Sequence, residues 1–351
     1  MAESESNVYD SDESDSDLFF IGCQSLSGFK KNERFPKQAA DWTLDNLSQL
    51  GVKYKENSTD LETFMSNLKT LVSLNTLGKM PKICHILKQL TSEKWSFSYN
   101  LEKDKRGDVK DAMETKEKIT EHVEEFEKDQ EMDERVKQDD EPNMRLYFIW
   151  RFNLLNFWRY LLTLLARWNE SRRRGRYTDI FTAFSKVFFL HPEISNSVCD
   201  AIGIKDSVVH GKPDIRYLTM ANETLHLFTV TEINPGNAFT RECYEETFTF
   251  KHIGKNVLGR HGIQLIIEAR DSFFFPYVVG LVCIGTKIIF TYLYIEREDY
   301  YSLREEGFIP KPNKASISYT RPFDFMDSGE RQSIMDYFFW FGFVQSHAYK
   351  Y

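Results

Sequence analysis

Residues 225–232 alternate strictly. Leu225, Leu227, Thr229 and Thr231 fall on one face of an extended strand, and His226, Phe228, Val230 and Glu232 on the other. The run closes on Glu232-Ile233-Asn234, and Pro235-Gly236-Asn237 stops it. A carboxylate at the last inward position of an apolar strand is costly unless it is paired or bound to a metal. A second strand-like stretch over residues 210–221 is joined to this one at Asn222-Glu223 and carries Pro213-Asp214. Asp214 and Glu232 on neighbouring strands could supply each other's partner by holding a divalent cation together, and this strand pair constrains the fold more than any other stretch.

Around it, helix-like and strand-like segments alternate. Over residues 41–90, Leu44, Leu47 and Leu50, then Leu61, Phe64, Leu68, Leu71 and Val72, recur at three- and four-residue spacing. This predicts a helical arm over 18–100, with nothing in it that carries chemistry. Residues 101–142 are dense in charge, a solvated helix or a flexible linker that Pro142 closes. Residues 144–168 are the most apolar and approach the roughly 20 residues of a membrane span. Arg145, Arg151, Arg159 and Arg167 recur through them, however, and two would sit in mid-bilayer at about 2.5–3.5 kcal/mol each. A buried amphipathic helix, with no membrane association, is expected. Residues 177–202 read as a second helical region broken at His191-Pro192, and 239–271 as helix interrupted near Gly254 or between Gly259 and Gly262. The apolar runs 277–284 and 288–295, separated by Gly285-Thr286-Lys287, read as a hairpin. A looser segment over 296–328, with Pro310, Pro312 and Pro322, precedes an aromatic helix over 331–346.

With 351 residues, 41% of them hydrophobic, the chain can bury a sizeable core in one large domain or two modest ones. The formal charge of −8 is unevenly spread: 3–17 and 121–141 are acidic, whereas Arg172, Arg173, Arg174 and Arg176 form a basic cluster. Overall charge therefore neither predicts nor excludes nucleic-acid binding. Residues 1–17 cannot bury enough apolar area to order themselves and read as a disordered acidic tail. Directly behind them, Leu18-Phe19-Phe20-Ile21 is β-prone. This pairing resembles motifs that add a strand to small ubiquitin-like modifiers, which makes residues 10–21 a candidate protein contact. The plainer reading is an apolar anchor for the tail. Five cysteines, odd in number and without CxxC spacing, support neither a zinc site nor a disulfide framework. The acidic N-terminus lacks the apolar run of a secretory signal, so the expected location is intracellular, in nucleus or cytoplasm.

The order over residues 177–295 is helix, two strands, helix, strand pair, with carboxylates on the early strands. It resembles the PD-(D/E)XK nuclease superfamily, the restriction-endonuclease-like domains. Pro213-Asp214 is similar to the PD of the second core strand. Glu232-Ile233-Asn234 is similar to the (D/E)XK of the third, with Asn234 where lysine stands. Gln264, ahead of the apolar run 277–285, is similar to the glutamine-bearing helix of retroelement-linked and restriction-like branches. The resemblance implies a mixed α/β (α+β) fold, a central mixed sheet flanked by helices over 143–351, behind the helical arm and acidic tail.

By that resemblance, Asp214 and Glu232 would ligate Mg²⁺ or Mn²⁺ with the Ile233 carbonyl, and Glu193 would add an upstream carboxylate. The metal would polarise the scissile phosphate and lower the pKa of a bound water. The motif lysine would orient that water; Asn234 carries no charge, a loss of about 2.7–4 kcal/mol by analogy with one oxyanion donor. Lys212, two residues before Asp214, is a candidate for a migrated lysine, as are Lys251 and Lys255. The implied function is metal-dependent phosphodiester hydrolysis, or nucleic-acid binding by a degenerate relative, DNA before RNA. Gln264 and Arg172, Arg173, Arg174 and Arg176 would touch the nucleic acid. Plainer readings stand beside these. Asp214 after proline can be a turn former, Glu232 the ion-pair partner of Arg216 or Arg241, and the arginine cluster a cap at a helix C-terminus. The alternative function is a protein-interaction adaptor using the acidic tail and helical arm, with the sheet as scaffold.

Overall fold

In the computed structural model, which describes residues 35–72, 82–99, 109–128, 136, 141–166, 174–194, 200–221, 224–234, 239, 248–310 and 314–347, the β-prone runs gather into one mixed sheet. The chain first forms α1 (Leu44–Gln49), β1 (Val52–Tyr54), α2 (Leu61–Val72), α3 (Lys82–Lys94), α4 (Val109–Lys128), α5 (Glu141–Ala166) and α6 (Arg174–Val187). Five strands follow: β2 (Pro192–Ile194), β3 (Asp200–Ile204), β4 (Ser207–Gly211), β5 (Ile215–Ala221) and β6 (Thr224–Asn234). After α7 (Lys255–Ile267) come β7 (Tyr277–Ile284), β8 (Lys287–Tyr294), α8 (Arg297–Glu306), β9 (Ala315–Tyr319), β10 (Phe323–Asp324) and α9 (Ser328–His347).

The sheet runs β1-β9-β8-β7-β6-β5-β2, with β10 beside β8, while β3 and β4 pair separately. β6 and β7 are parallel, Val230 opposite Gly280 through Asn234 opposite Ile284. Parallel neighbours need a crossover, and α7 lies in that connection. β7 and β8 are antiparallel and turn over Gly285-Thr286, where Gly285 takes the left-handed φ of +63° that a tight hairpin demands. Both faces of the sheet are covered, which is why residues 277–295 are apolar almost without interruption. Ile233, Leu281, Cys283 and Phe290 join an aromatic layer with α5, α6 and α9, in which Phe184 stacks on Phe325 at 4.5 Å. Val230, Val282 and Ile289 join the opposite layer, with Leu47 of α1 and Leu265 of α7.

Several expectations need correction. The strict alternation of 225–232 is not kept: register slips between Tyr217, opposite Thr229, and Leu218, opposite Leu227. Phe228 is the extra residue of this bulge and enters the aromatic layer, whereas Val230 packs on the other side. The stretch expected as a helical arm is built into the body. β1 pairs with β9 in the main sheet, and Phe64 of α2 and Leu87 of α3 lie in the aromatic layer. Within 101–142, α4 is a helix with Ile119, Val123 and Phe126 buried. α5 is the expected amphipathic helix: Trp150, Leu154, Phe157, Trp158 and Leu161 are buried, Arg145 and Arg159 exposed. Among the described residues no helix is long and apolar enough to cross a membrane.

Residues 192–194 and 200–204 are strands, not helical turns, and 296–328 contains α8, β9 and β10. The interruption expected near Gly254 or between Gly259 and Gly262 falls at Gly254, the N-cap of the helix over 255–267, which runs on unbroken through Gly259 and Gly262. A Cβ on Gly259 would lie 2.3 Å from the Thr43 backbone, and one on Gly262 2.3 Å from Leu47, so glycine there lets α1 lie directly on α7. Of the arginine cluster, only Arg174 and Arg176 fall among the described residues, and Arg172 and Arg173 lie outside them. Arg174 and Arg176 begin α6, the end at which the helix dipole disfavours cations.

Candidate functional site

β4 ends at Gly211, and Lys212, Pro213 and Asp214 bend the chain into β5. The Asp214 N–H donates to the Thr231 carbonyl at 3.2 Å, and its Oδ2 accepts the Ile233 N–H at 2.7 Å. The carboxylate thus stands in for a backbone acceptor and ties the start of β5 to the end of β6, one residue beyond Glu232. Glu232 is fully buried, and its Oε1 is ion-paired to the Arg260 guanidinium of α7. One helical turn further on, the same face of α7 presents Gln264, 1% exposed, whose Nε2 donates to the Lys212 carbonyl at 3.3 Å. Its Oε1 has no hydrogen-bond partner among the described residues.

These groups meet at a cavity of about 390 Å³. One wall is Lys212, Pro213 and Asp214, and a second is Arg260 and Gln264. A third is the first two turns of α6, through Gly175, Thr178 and Asp179, and a fourth is the segment Gln38, Ala39 and Ala40. That last wall is held by the His210 N–H, which donates to the Lys37 carbonyl at 2.8 Å. Asp179 accepts the Tyr160 hydroxyl at 3.0 Å; burial and that carboxylate together raise the Tyr160 pKa. The Asp214 charge reaches the buried Cys283 thiol, whose pKa burial already holds well above its usual value. Beside Arg260, His261 is pushed down to about 3, by burial first and by the Arg260 charge second, and stays neutral against the Thr291 hydroxyl at 2.7 Å.

The expected residues divide accordingly. Asp214, Lys212 and Gln264 line the cavity; Glu232 does not, and lies behind the residue it pairs with. Asn234 ends β6, its carbonyl accepting the Gly285 N–H at 2.8 Å, and its side chain is not in the cavity wall. Glu193 sits in edge strand β2 opposite Arg216 and is exposed; its neighbour Ile194 reaches the cavity instead. Lys255 is drawn to Asp45 at 3.7 Å, and neither it nor Lys251 lines the cavity. Arg216 is not the partner of Glu232. It is claimed by Glu268, Nε to Oε1 at 2.9 Å, and by Asp200. The residues that sequence reasoning missed are Arg260, Asp179 and the Gln38 segment. Only Arg260 carried a signal, since it precedes Gln264 by four residues and so shares its helical face.

Mg²⁺ or Mn²⁺ fits these groups poorly. A hard divalent cation needs oxygen ligands at about 2.0–2.6 Å. Glu232 already holds a guanidinium, Asp214 gives Oδ2 to a backbone N–H, and Glu193 is elsewhere. Among the described residues no three of His, Cys, Asp and Glu are grouped to hold a metal. No family model matches this chain, and neither a curated protein nor a solved structure matches it.

Proposed function

We propose that this chain is a PD-(D/E)XK-like domain that holds the phosphodiester backbone of a nucleic acid, DNA before RNA, without hydrolysing it. The observation that carries the reading is the convergence of Asp214, Lys212, Arg260 and Gln264 on one cavity, with the motif's second carboxylate, Glu232, held in an ion pair behind it. A lysine, a guanidinium and the first turns of a helix offer a phosphate charge-assisted donors and the positive end of a dipole. Contacts of this kind fix register on a backbone without reading sequence. Lack of hydrolysis is supported by Asn234, which brings no charge and does not line the cavity, so it cannot orient a water there as the motif lysine would.

Fluorescence anisotropy with labelled single- and double-stranded DNA and RNA tests this. Binding should weaken as salt rises, and Lys212→Ala should lower affinity about fivefold and flatten the salt slope by about one phosphate. Incubation with Mg²⁺ or Mn²⁺ should yield no cleavage products. Cleavage that disappears in Asp214→Ala and Glu232→Ala would replace binding with hydrolysis. Failure to bind any of the four nucleic acids would leave the adaptor alternative, with the sheet as scaffold.

A further inference from the structure

We infer that Arg260 takes the place of a divalent cation in this cavity, so that a phosphate is met by a guanidinium anchored on Glu232 and not by a metal. The phosphate part of this rests on the function proposed above; the exclusion of metal does not. Arg260 lines the cavity, and Glu232, the carboxylate a metal would need, is fully buried and paired to it. A cation entering here must first take that carboxylate from a guanidinium whose side chain is only 17% exposed, leaving a buried charge without its partner.

Arg260 is also fixed from both sides. Gly259 sets the helix against the Thr43 backbone, and the fully buried His261 is bonded to Thr291 at 2.7 Å. The backbone that carries Arg260 is therefore fixed on both sides, and the guanidinium itself is held by Glu232 before any ligand arrives. Guanidinium presents its N–H donors in a planar fork that matches phosphate oxygens. Gln264, a turn away, holds its amide by the Lys212 carbonyl and so keeps the lysine's backbone beside the same cavity. One fixed positive charge thus serves the role of counter-charge that the motif elsewhere gives to a metal.

Mn²⁺ titration of the full chain, followed by its electron paramagnetic resonance signal, tests the metal part directly. The native chain should take up no Mn²⁺ that Asp214→Ala abolishes, which separates the cavity from uptake by the acidic tail. Arg260→Ala should gain one such site, lost again in the Arg260→Ala, Asp214→Ala pair, while oligonucleotide affinity falls about tenfold. If Arg260→Ala fails to fold, judged by thermal melting, Arg260→Gln carries the same test. Oligonucleotide binding by the native chain should be indifferent to EDTA. An Asp214-dependent Mn²⁺ site in the native chain, or binding abolished by EDTA, overturns the inference and leaves nucleic-acid binding standing. No gain of a site in a folded Arg260 variant overturns it as well. Absence of oligonucleotide binding overturns the function proposed above, and the Mn²⁺ measurements still decide whether Arg260 excludes a metal.

Discussion

Asp324 lies where β10 joins the sheet, and its carboxyl is governed by burial. Its pKa rises from 3.8 to about 6, although hydrogen bonds from Thr286 and from the Met326 N–H, at 3.0 Å, pull the other way. Between those values the native chain keeps a proton that the unfolded chain has released. Stability therefore falls as pH climbs from about 4 to about 6, by something on the order of 2–3 kcal/mol, and the loss levels off above that. Glu268, pushed up to about 7 chiefly by its burial, acts in the same direction over a higher window. Asp324→Asn should reduce the fall of the melting midpoint with pH between about 4 and 6, leaving the part that Glu268 contributes, and should leave the slope above 6 unchanged. An unchanged slope below 6 would deny burial its role. Single residues were legible where chemistry is local: proline before Asp214 marks the bend, and Gln264 stands on a helix face. The partner of Glu232 was not, because Arg216, which lies opposite Val230 on the neighbouring strand, is claimed by two other carboxylates, and the arginine that does pair comes from the crossover helix 28 residues on.

Elements of regular pattern were readable, and those defined by their neighbours were not. β7 and β8 announce themselves by apolar runs around a turn that needs Gly285, and α9 by its aromatic content. β1 is three residues long and owes its existence to β9, which pairs with it from more than 250 residues away. The bulge at Phe228 has no signature in an alternating run, because it is the pull of two apolar layers that shifts the register. Of the two places where a break was expected, Gly254 starts the helix, whereas Gly259 and Gly262 lie within it and each removes a side chain from a helix–helix contact. Gly259→Ala places a methyl 2.3 Å from the Thr43 backbone, which cannot yield as a side chain would. It should cost about 1–3 kcal/mol by overpacking, measured by denaturant melting. The same push moves α1 and the Gln38 to Ala40 wall just before it, so oligonucleotide affinity should fall along with stability. Gly203→Ala, outside the cavity wall, is the control: it meets nothing within 4 Å and should leave stability within about 0.5 kcal/mol.

At the scale of the whole molecule, charge is segregated along the chain. Residues 3–17 hold seven acids and no base, and so carry all but one of the eight net negative charges. The body that contains the cavity is therefore close to neutral, and the tail dominates the long-range field that an approaching polyanion meets. Repulsion between exposed charges decays over a Debye length of about 10 Å at 0.1 M salt and about 3 Å at 1 M. Deleting residues 1–17 should then raise the association rate and the affinity for oligonucleotides at low salt, with the advantage vanishing as salt rises. A contact between tail and cavity would predict something different, a gain that survives high salt, because a tail held in the cavity competes by occupancy as well as by charge. Anisotropy titrations of the full and shortened chains at two ionic strengths distinguish the two. Equal affinities at low salt would mean that the tail's charge does not reach the cavity at all, and would leave residues 10–21 to their other reading, a contact for a protein partner.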